Sequence, residues 1–409
     1  MITSAAAALA ASLAADALPA YVYDLADLTA HARAVRAALP PGVELYYAAK
    51  ANPAAPVLAA LAPHVTGYEV ASGGELAHVR EAVPRLPVAF GGPGKTDGEL
   101  RLALRLRAER FHVESEHELR RLRALAEEAG RPADVLLRVN LPLADGADAA
   151  AAALDGAALA MGGRPSPFGM DPDAVDRCLP LLARGPLRLR GVHAHLASGL
   201  DAAAQLAVAD RVARWARDLA ARHGLPPEAV AEVGAGGGMA VDYARPGDRF
   251  DWETYGKGLA DLARRHPGTV LRIEPGRALT AYCGWYVTDV LDVKTSGDEA
   301  FAVLRGGTHH LRTPATKGHD QPFTVLPGGP WPHPWPRPDT RGGPVTLVGQ
   351  LCTPKDVLAR RVPVDVLRAG DRVAFAMAGA YAWNISHHEF LMHPPPGFHY
   401  VGPGTGGGG

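Results

Sequence analysis

Between residues 40 and 280 the sequence alternates, without a break in rhythm, between short apolar runs and helical patterns. Val43–Tyr47, Thr66–Val70, Val88–Phe90, Phe111–Val113, Val135–Asn140, Gly191–His195, Val230–Val233 and Val270–Ile273 read as strands. Ala54–Leu61, Gly74–Ala82, Asp97–Leu106, His117–Ala129, Asp171–Ala183, Ala202–His223 and Trp252–Arg265 read as helices among them. Runs that are apolar on both faces, each followed by a helix, are the pattern of parallel βαβ units. Roughly 240 residues of it match a (β/α)8 TIM barrel, which typically needs about 250. A doubly wound sheet is the alternative.

After Arg277 the texture changes. Tyr282–Lys294, Ala300–Leu304, Pro344–Leu351 and Asp371–Ala378 are rich in Val, Tyr and Phe with turns between them, the composition of a mostly β domain. The expected organisation is an N-terminal segment 1–38 contributing to the β domain, a barrel over 39–280, and a C-terminal β domain over 281–409. Leu326–Arg341, dense in Pro and Trp, should be an ordered loop without regular structure. Ala144–Ala160, rich in Ala, Gly and Asp, interrupts the barrel and is a candidate lid. Gly402–Gly409 is a glycine tail.

Composition narrows the function class. The chain has 409 residues, 47% hydrophobic and 21% charged, as expected of a water-soluble globular protein. A net charge of -1 offers no electrostatic footprint for nucleic acid or an anionic membrane. No apolar run is long enough to span a bilayer. The Ala-rich start lacks a basic leader and reads as a helix rather than a signal peptide. Cys178, Cys283 and Cys352 are odd in number and widely spaced, which suits a reducing cytoplasm and no disulfide framework.

Several motifs fall where the strands end. Lys50, in Tyr47-Ala48-Ala49-Lys50-Ala51-Asn52, closes the first barrel run. A partly desolvated amine there could form a Schiff base with a carbonyl, although a surface lysine has the same local sequence. Gly234-Ala235-Gly236-Gly237-Gly238 follows a late strand, where barrels commonly bind phosphate. In Glu274-Pro275-Gly276-Arg277, Glu274 could accept from a protonated ring nitrogen and Arg277 could reach a phosphate oxygen; an internal ion pair is the plain alternative. In His193-Ala194-His195-Leu196-Ala197-Ser198, an imidazole could stack on a flat cofactor and Ser198 could bind its phosphate. Alternation places His193 and His195 on one face, but no third ligand supports a metal, so none is expected.

Taken in order, Tyr47–Asn52, His195–Ser198, Gly236–Gly238, Glu274–Arg277, Cys352 and Gly379–Tyr381 resemble the fold-type III pyridoxal-phosphate decarboxylases, the family of the diaminopimelate, ornithine and arginine decarboxylases. The resemblance runs from about residue 20 to 395 and implies an alanine-racemase-like barrel plus a β domain, with pyridoxal 5'-phosphate as cofactor. It implies that Lys50 holds the cofactor and His195 stacks on its ring. It gives Ser198, Gly236, Gly237, Gly238, Arg277 and Tyr381 to the phosphate and Glu274 to the ring nitrogen. Cys352 would act as proton donor in the partner subunit's site, so a homodimer is implied. Alanine racemases of the same fold set an arginine against that nitrogen; a glutamate speaks for decarboxylation.

The substrate is where the chain departs from that pattern. The acidic residue that follows the cysteine in the ornithine and diaminopimelate enzymes is Thr353 here, and the serine–lysine before Phe-Gly is Ser166-Pro167. Arg312 resembles the arginine that holds a distal carboxylate, and His309, His310, Lys317 and His319 could add positive charge. Met161–Gly169, Gly349–Leu358 and Gly379–His388 look closest to the siderophore-assembly branch, whose enzymes decarboxylate citryl-conjugated amino acids such as citryl-diaminopropionate. Diaminopimelate decarboxylation, decarboxylation of a carrier-bound glutamyl group, and a non-catalytic cofactor-binding protein are the alternatives.

Overall fold

The computed structural model describes residues 2–141, 159–340 and 342–402. Most of the expected lid (144–158 of Ala144–Ala160) and residues 403–409 of the glycine tail lie outside the described residues.

A helix, Ser4–Ser12, is capped by the Thr3 hydroxyl and leads to strand β1 (Ala20–Asp24). The barrel strands follow: β2 (Glu44–Ala48), β3 (Gly67–Val70), β4 (Val88–Phe90), β5 (Arg110–Val113) and β6 (Ala133–Arg138). After a short β7 (Leu159–Ala160) come β8 (Leu187–His193), β9 (Ala197–Ser198), β10 (Glu232–Gly234) and β11 (Val270–Ile273). β2, β3, β4, β5, β6, β8, β10 and β11 close into an eight-stranded barrel with every pair parallel. The expected (β/α)8 barrel is therefore present, and all eight expected runs are among its strands.

Local chemistry sets the helix starts. Ser72, Ser115, Asp171, Asp201 and Asp251 each accept a backbone N–H two or three residues into the next helix. Thr96 and Glu99 form a reciprocal capping box. The N-terminal end of the barrel is filled by charge. Buried Arg272 on β11 reaches Glu44 at 2.7 Å and lies 4.1 Å above the Tyr46 ring, while Arg110 bonds Glu232. These pairs close the barrel floor and leave the opposite, C-terminal strand ends for chemistry.

The remaining strands are β12 (Gly284–Ser296), β13 (Glu299–Leu304), β14 (Phe323–Leu326), β15 (Gly343–Val348), β16 (Val357–Val364), β17 (Arg372–Phe375) and β18 (Gly397–Val401). With β1 they form an eight-stranded sheet ordered β14-β17-β12-β13-β15-β16, with β1 joining β12 to β18. By contact density the chain divides into a sheet unit (Met1–Leu28, Asp242–Asp248, Thr280–Gly409) and a barrel unit (Thr29–Val241, Arg249–Leu279). The Pro/Trp-rich loop has no strand or helix of its own between β14 and the short bridge at Asp339; Trp331 donates to the Trp335 carbonyl at 2.8 Å within it.

Candidate active site

In the barrel unit, Lys50 stands in a single 3-10 turn, Ala49–Ala51, at the end of β2. Its Nζ donates to Glu69 Oε2 at 2.5 Å, and its side chain is 44% exposed against 7% for that of Glu69. The amine therefore sits at an open edge with a buried carboxylate beside it. Glu69 escaped the sequence reading, although a glutamate inside an apolar barrel strand is itself a signal.

Glu274 follows β11 and is 7% exposed. Its Oε2 is 3.0 Å from His193 Nε2. Its Oε1 has no hydrogen-bond partner among the described residues, and His112 Nε2 lies 3.8 Å away. The His112 and His193 rings stack at 4.1 Å with planes 17° apart. Burial alone would raise the Glu274 carboxyl; the His193 imidazole with its hydrogen bond and the Lys50 ammonium outweigh it and hold the group well below the usual carboxylate range. Burial, then His193, pushes His112 well below the usual imidazole range, so it is neutral at neutral pH. The one-letter pattern around His112 carries no motif. Like Glu69, it is visible in the sequence only as a polar residue in a strand that should be apolar. One donor atom from each of His112, His193 and Glu274 lies within 4.8 Å of the others. With the imidazole planes nearly parallel, the in-plane lone pairs run side by side rather than converging on one point, the arrangement of a hydrogen-bonded stack.

β8 ends at His193, so strand alternation no longer governs His195, whose Nδ1 instead accepts the Gly237 N–H at 3.1 Å. That bond leaves the ring proton on Nε2 of the neutral imidazole. Burial first, and then the positive charges of Lys50 and Arg138, push His195 down to about 3, so it is a neutral flat ring across the working range. The glycines pack as well as bend. A Cβ on Gly237 would lie 2.2 Å from the Glu274 carbonyl, and one on Gly238, at φ +90°, 2.2 Å from that of Ala197. Gly238 O accepts the Gly199 N–H at 2.8 Å, tying the glycine turn to the Ser198 segment, and Gln205 braces the turn by donating to Gly237 O at 3.0 Å. Arg277 is half-buried and opens the short helix Arg277–Thr280. Beside them, Arg138 pairs with Glu114 at 2.8 Å and lies 5.3 Å over the Phe168 ring, which fixes the Ser166–Gly169 segment. The barrel unit thus brings together Lys50, His195, Ser198, Gly236–Gly238, Glu274 and Arg277.

The other sequence candidates, His309, Arg312, Cys352, Thr353 and Tyr381, belong to the sheet unit. Cys352 is an exposed free thiol. Its turn is held by buried Asp356, which accepts from the Thr308 N–H at 2.7 Å, the Thr308 hydroxyl at 2.8 Å and the Leu351 N–H at 2.9 Å. Tyr381 adopts φ 48°, an uncommon conformation for an aromatic residue. Its carbonyl accepts from the Thr313 hydroxyl at 2.7 Å, next to exposed Arg312. The positive charge expected of His309 and His310 is absent at neutral pH. Both are buried, and burial pushes them down to about 4 and about 3.

Residues 25–281 match the family model described as the pyridoxal-binding domain of pyridoxal-dependent decarboxylases. The chain belongs to this family. It is a pyridoxal-phosphate-dependent carboxy-lyase. The decarboxylase is 38% identical, over 93% of both chains, to the 2-[(L-alanin-3-ylcarbamoyl)methyl]-2-hydroxybutanedioate decarboxylase of Staphylococcus aureus. It is 30% identical to the L-glutamyl-[BtrI acyl-carrier protein] decarboxylase of Niallia circulans, over 92% of this chain and 87% of that one. Its fold is similar to that of diaminopimelate decarboxylase from Helicobacter pylori, with a TM-score of 0.80 at 23% identity, covering 94% of this chain and 91% of that one. Among the described residues no helix is long and apolar enough to cross a membrane.

The site fits the cofactor on its own geometry. A buried, ionised carboxylate with one oxygen unpartnered is a ready acceptor for a ring N–H. An amine stands at the open strand end, and a neutral flat imidazole lies in the same strand-end cluster.

Proposed function

We propose that this decarboxylase acts on a carboxylate-rich conjugated amino acid, with citryl-diaminopropionate as the substrate of choice. The observation that carries the reading is the 38% identity, over 93% of each chain, with a decarboxylase whose named substrate is an alanyl group joined through an amide to a citrate-like tricarboxylate. Two features of the sheet unit support it. Thr353, a neutral hydroxyl, stands where a distal ammonium would call for an acid. Arg312, exposed and one residue before Thr313, offers a guanidinium to a distal carboxylate.

Bound pyridoxal phosphate supplies an electron sink for the pair left on the substrate carbon when carbon dioxide departs. Lys50 holds the cofactor and is kept at the strand end by Glu69. Glu274, anionic and anchored by His193, keeps the ring nitrogen protonated. His195 would stack on the cofactor ring, Ser198, Gly236–Gly238 and Arg277 would hold its phosphate, and the motif Gly379–Tyr381 makes Tyr381 a further phosphate candidate. Cys352, exposed on its own chain, would return a proton to the substrate carbon in the site of a second copy, and the working form would then be a homodimer.

The test is carbon dioxide release by the purified enzyme from citryl-diaminopropionate, meso-diaminopimelate and a carrier-bound glutamyl thioester. Turnover confined to the citryl conjugate, with KM raised in Arg312→Ala, is the expected result. Efficient turnover of diaminopimelate or of the glutamyl carrier would overturn the substrate assignment, and the latter would favour the function of the 30% identical relative.

A further inference from the structure

Of the groups gathered at the barrel's strand ends, His112 is the one to which neither the motifs nor the reading above gives a task. It is 1% exposed and carried by β5, whose own sequence holds no recognisable motif. Its position is tightly held. Its carbonyl accepts from Lys95 Nζ at 2.8 Å, and Lys95 is itself fixed by Glu118 at 2.6 Å. Gly91 lies against both rims of the cluster: a Cβ there would make ordinary contact with His112 Nδ1 at 3.5 Å and a tight one with Glu69 Oε1 at 3.0 Å. An imidazole this deeply buried, its Nε2 without a hydrogen-bond partner among the described residues, calls for an explanation.

We propose that His112 is a positioning residue for Glu274. It acts through two contacts: the face-to-face stack with the ring of His193, which bonds the carboxylate, and an Nε2 lying 3.8 Å from Oε1, the oxygen His193 does not take. The proposal rests on the reading that Glu274 pairs with the cofactor's ring nitrogen. Without the stack, His193 is free to swing, and the carboxylate anchored on it loses its single orientation. Without Nε2, Oε1 loses the polar atom that β5 sets 3.8 Å from it. The other charges near the cluster, Lys50 and Glu69 at the open end and Arg272 and Lys95 around His112, are unchanged by replacing His112.

The measurement is cofactor affinity, not turnover. Apo-enzyme is titrated by fluorescence with pyridoxal 5'-phosphate and with its 1-deaza analogue, which has a carbon in place of the ring nitrogen and cannot pair with Glu274. In His112→Phe, which keeps a flat face and removes both nitrogens, pyridoxal phosphate should bind about tenfold more weakly, the worth of one charge-assisted hydrogen bond. The analogue should bind within about twofold of its affinity for the wild type. Equal weakening of both ligands would mean a merely structural role and would overturn the proposal, as would no weakening of either. If the aromatic replacement does not fold, His112→Leu enters the same comparison with the same two outcomes. A wild type that does not prefer pyridoxal phosphate to the analogue would instead overturn the pairing of Glu274 with the ring nitrogen, and this inference with it.

Discussion

Replacing His309 by Phe should make the protein more tolerant of acid. His309 is fully buried, and neither ring nitrogen has a hydrogen-bond partner among the described residues. Its ring lies 4.0 Å from that of His310 and 5.2 Å from that of His393. Burial, then the neighbouring imidazoles His393, His387 and His388, lower it from 6.5 to about 4. The unfolded chain therefore takes up a proton as pH falls through about 6.5, while the folded chain does not until about 4. Stability from this residue is fully present above the upper value and is lost progressively between the two. At about pH 5 the linkage integral gives a loss of about 2 kcal/mol relative to pH 8, and some solvent screening would bring it to ~1–2 kcal/mol. Phe keeps the ring contacts and cannot titrate. The assay is urea unfolding of both proteins at the two pH values, comparing the change in free energy and not its absolute size, so that any packing cost of the larger ring cancels. The wild type should lose about 1–2 kcal/mol more than the variant over that interval. Equal losses would show that His309 is solvated or already charged in the folded state, and the reasoning about its burial would fail.

Three further outcomes follow from the barrel. Lys50→Ala should abolish covalent capture of the cofactor, so that borohydride treatment followed by intact-mass measurement finds no pyridoxyl group on the variant and one per chain on the wild type. Gly237→Ala should lower the melting temperature and weaken cofactor binding by at least about tenfold, because its Cβ would meet the Glu274 carbonyl at 2.2 Å and the backbone carrying the carboxylate would have to shift. Arg272→Leu should destabilise the fold by about 3–5 kcal/mol in chemical denaturation, since it leaves Glu44 without its closest cation and Glu109 and Glu232 with Arg110 alone. Its effect on KM should be small, because the floor of the barrel lies away from the strand ends that carry the site.

The sequence by itself determined the alternation of parallel strands and helices and the order in which the candidate groups follow it. Eight apolar runs with helices among them point to parallel strands covered on both faces, which a closed barrel and a doubly wound sheet both satisfy; their length favours the barrel, and closure itself is seen only in the structure. Lys50, the glycine turn and Glu274 were legible because each directly follows a strand, and strand ends are where such a barrel gathers its functional groups. The tertiary structure alone decided which groups meet across the barrel. Glu69, His112 and His193 come from β3, β5 and β8, and only closure brings the first to the Lys50 amine and the other two to the Glu274 carboxylate. It also decided charge. His309 and His310 look like cations in one dimension, but burial removes the water that would stabilise the protonated ring, and the positive charge expected of them beside Arg312 is absent at neutral pH.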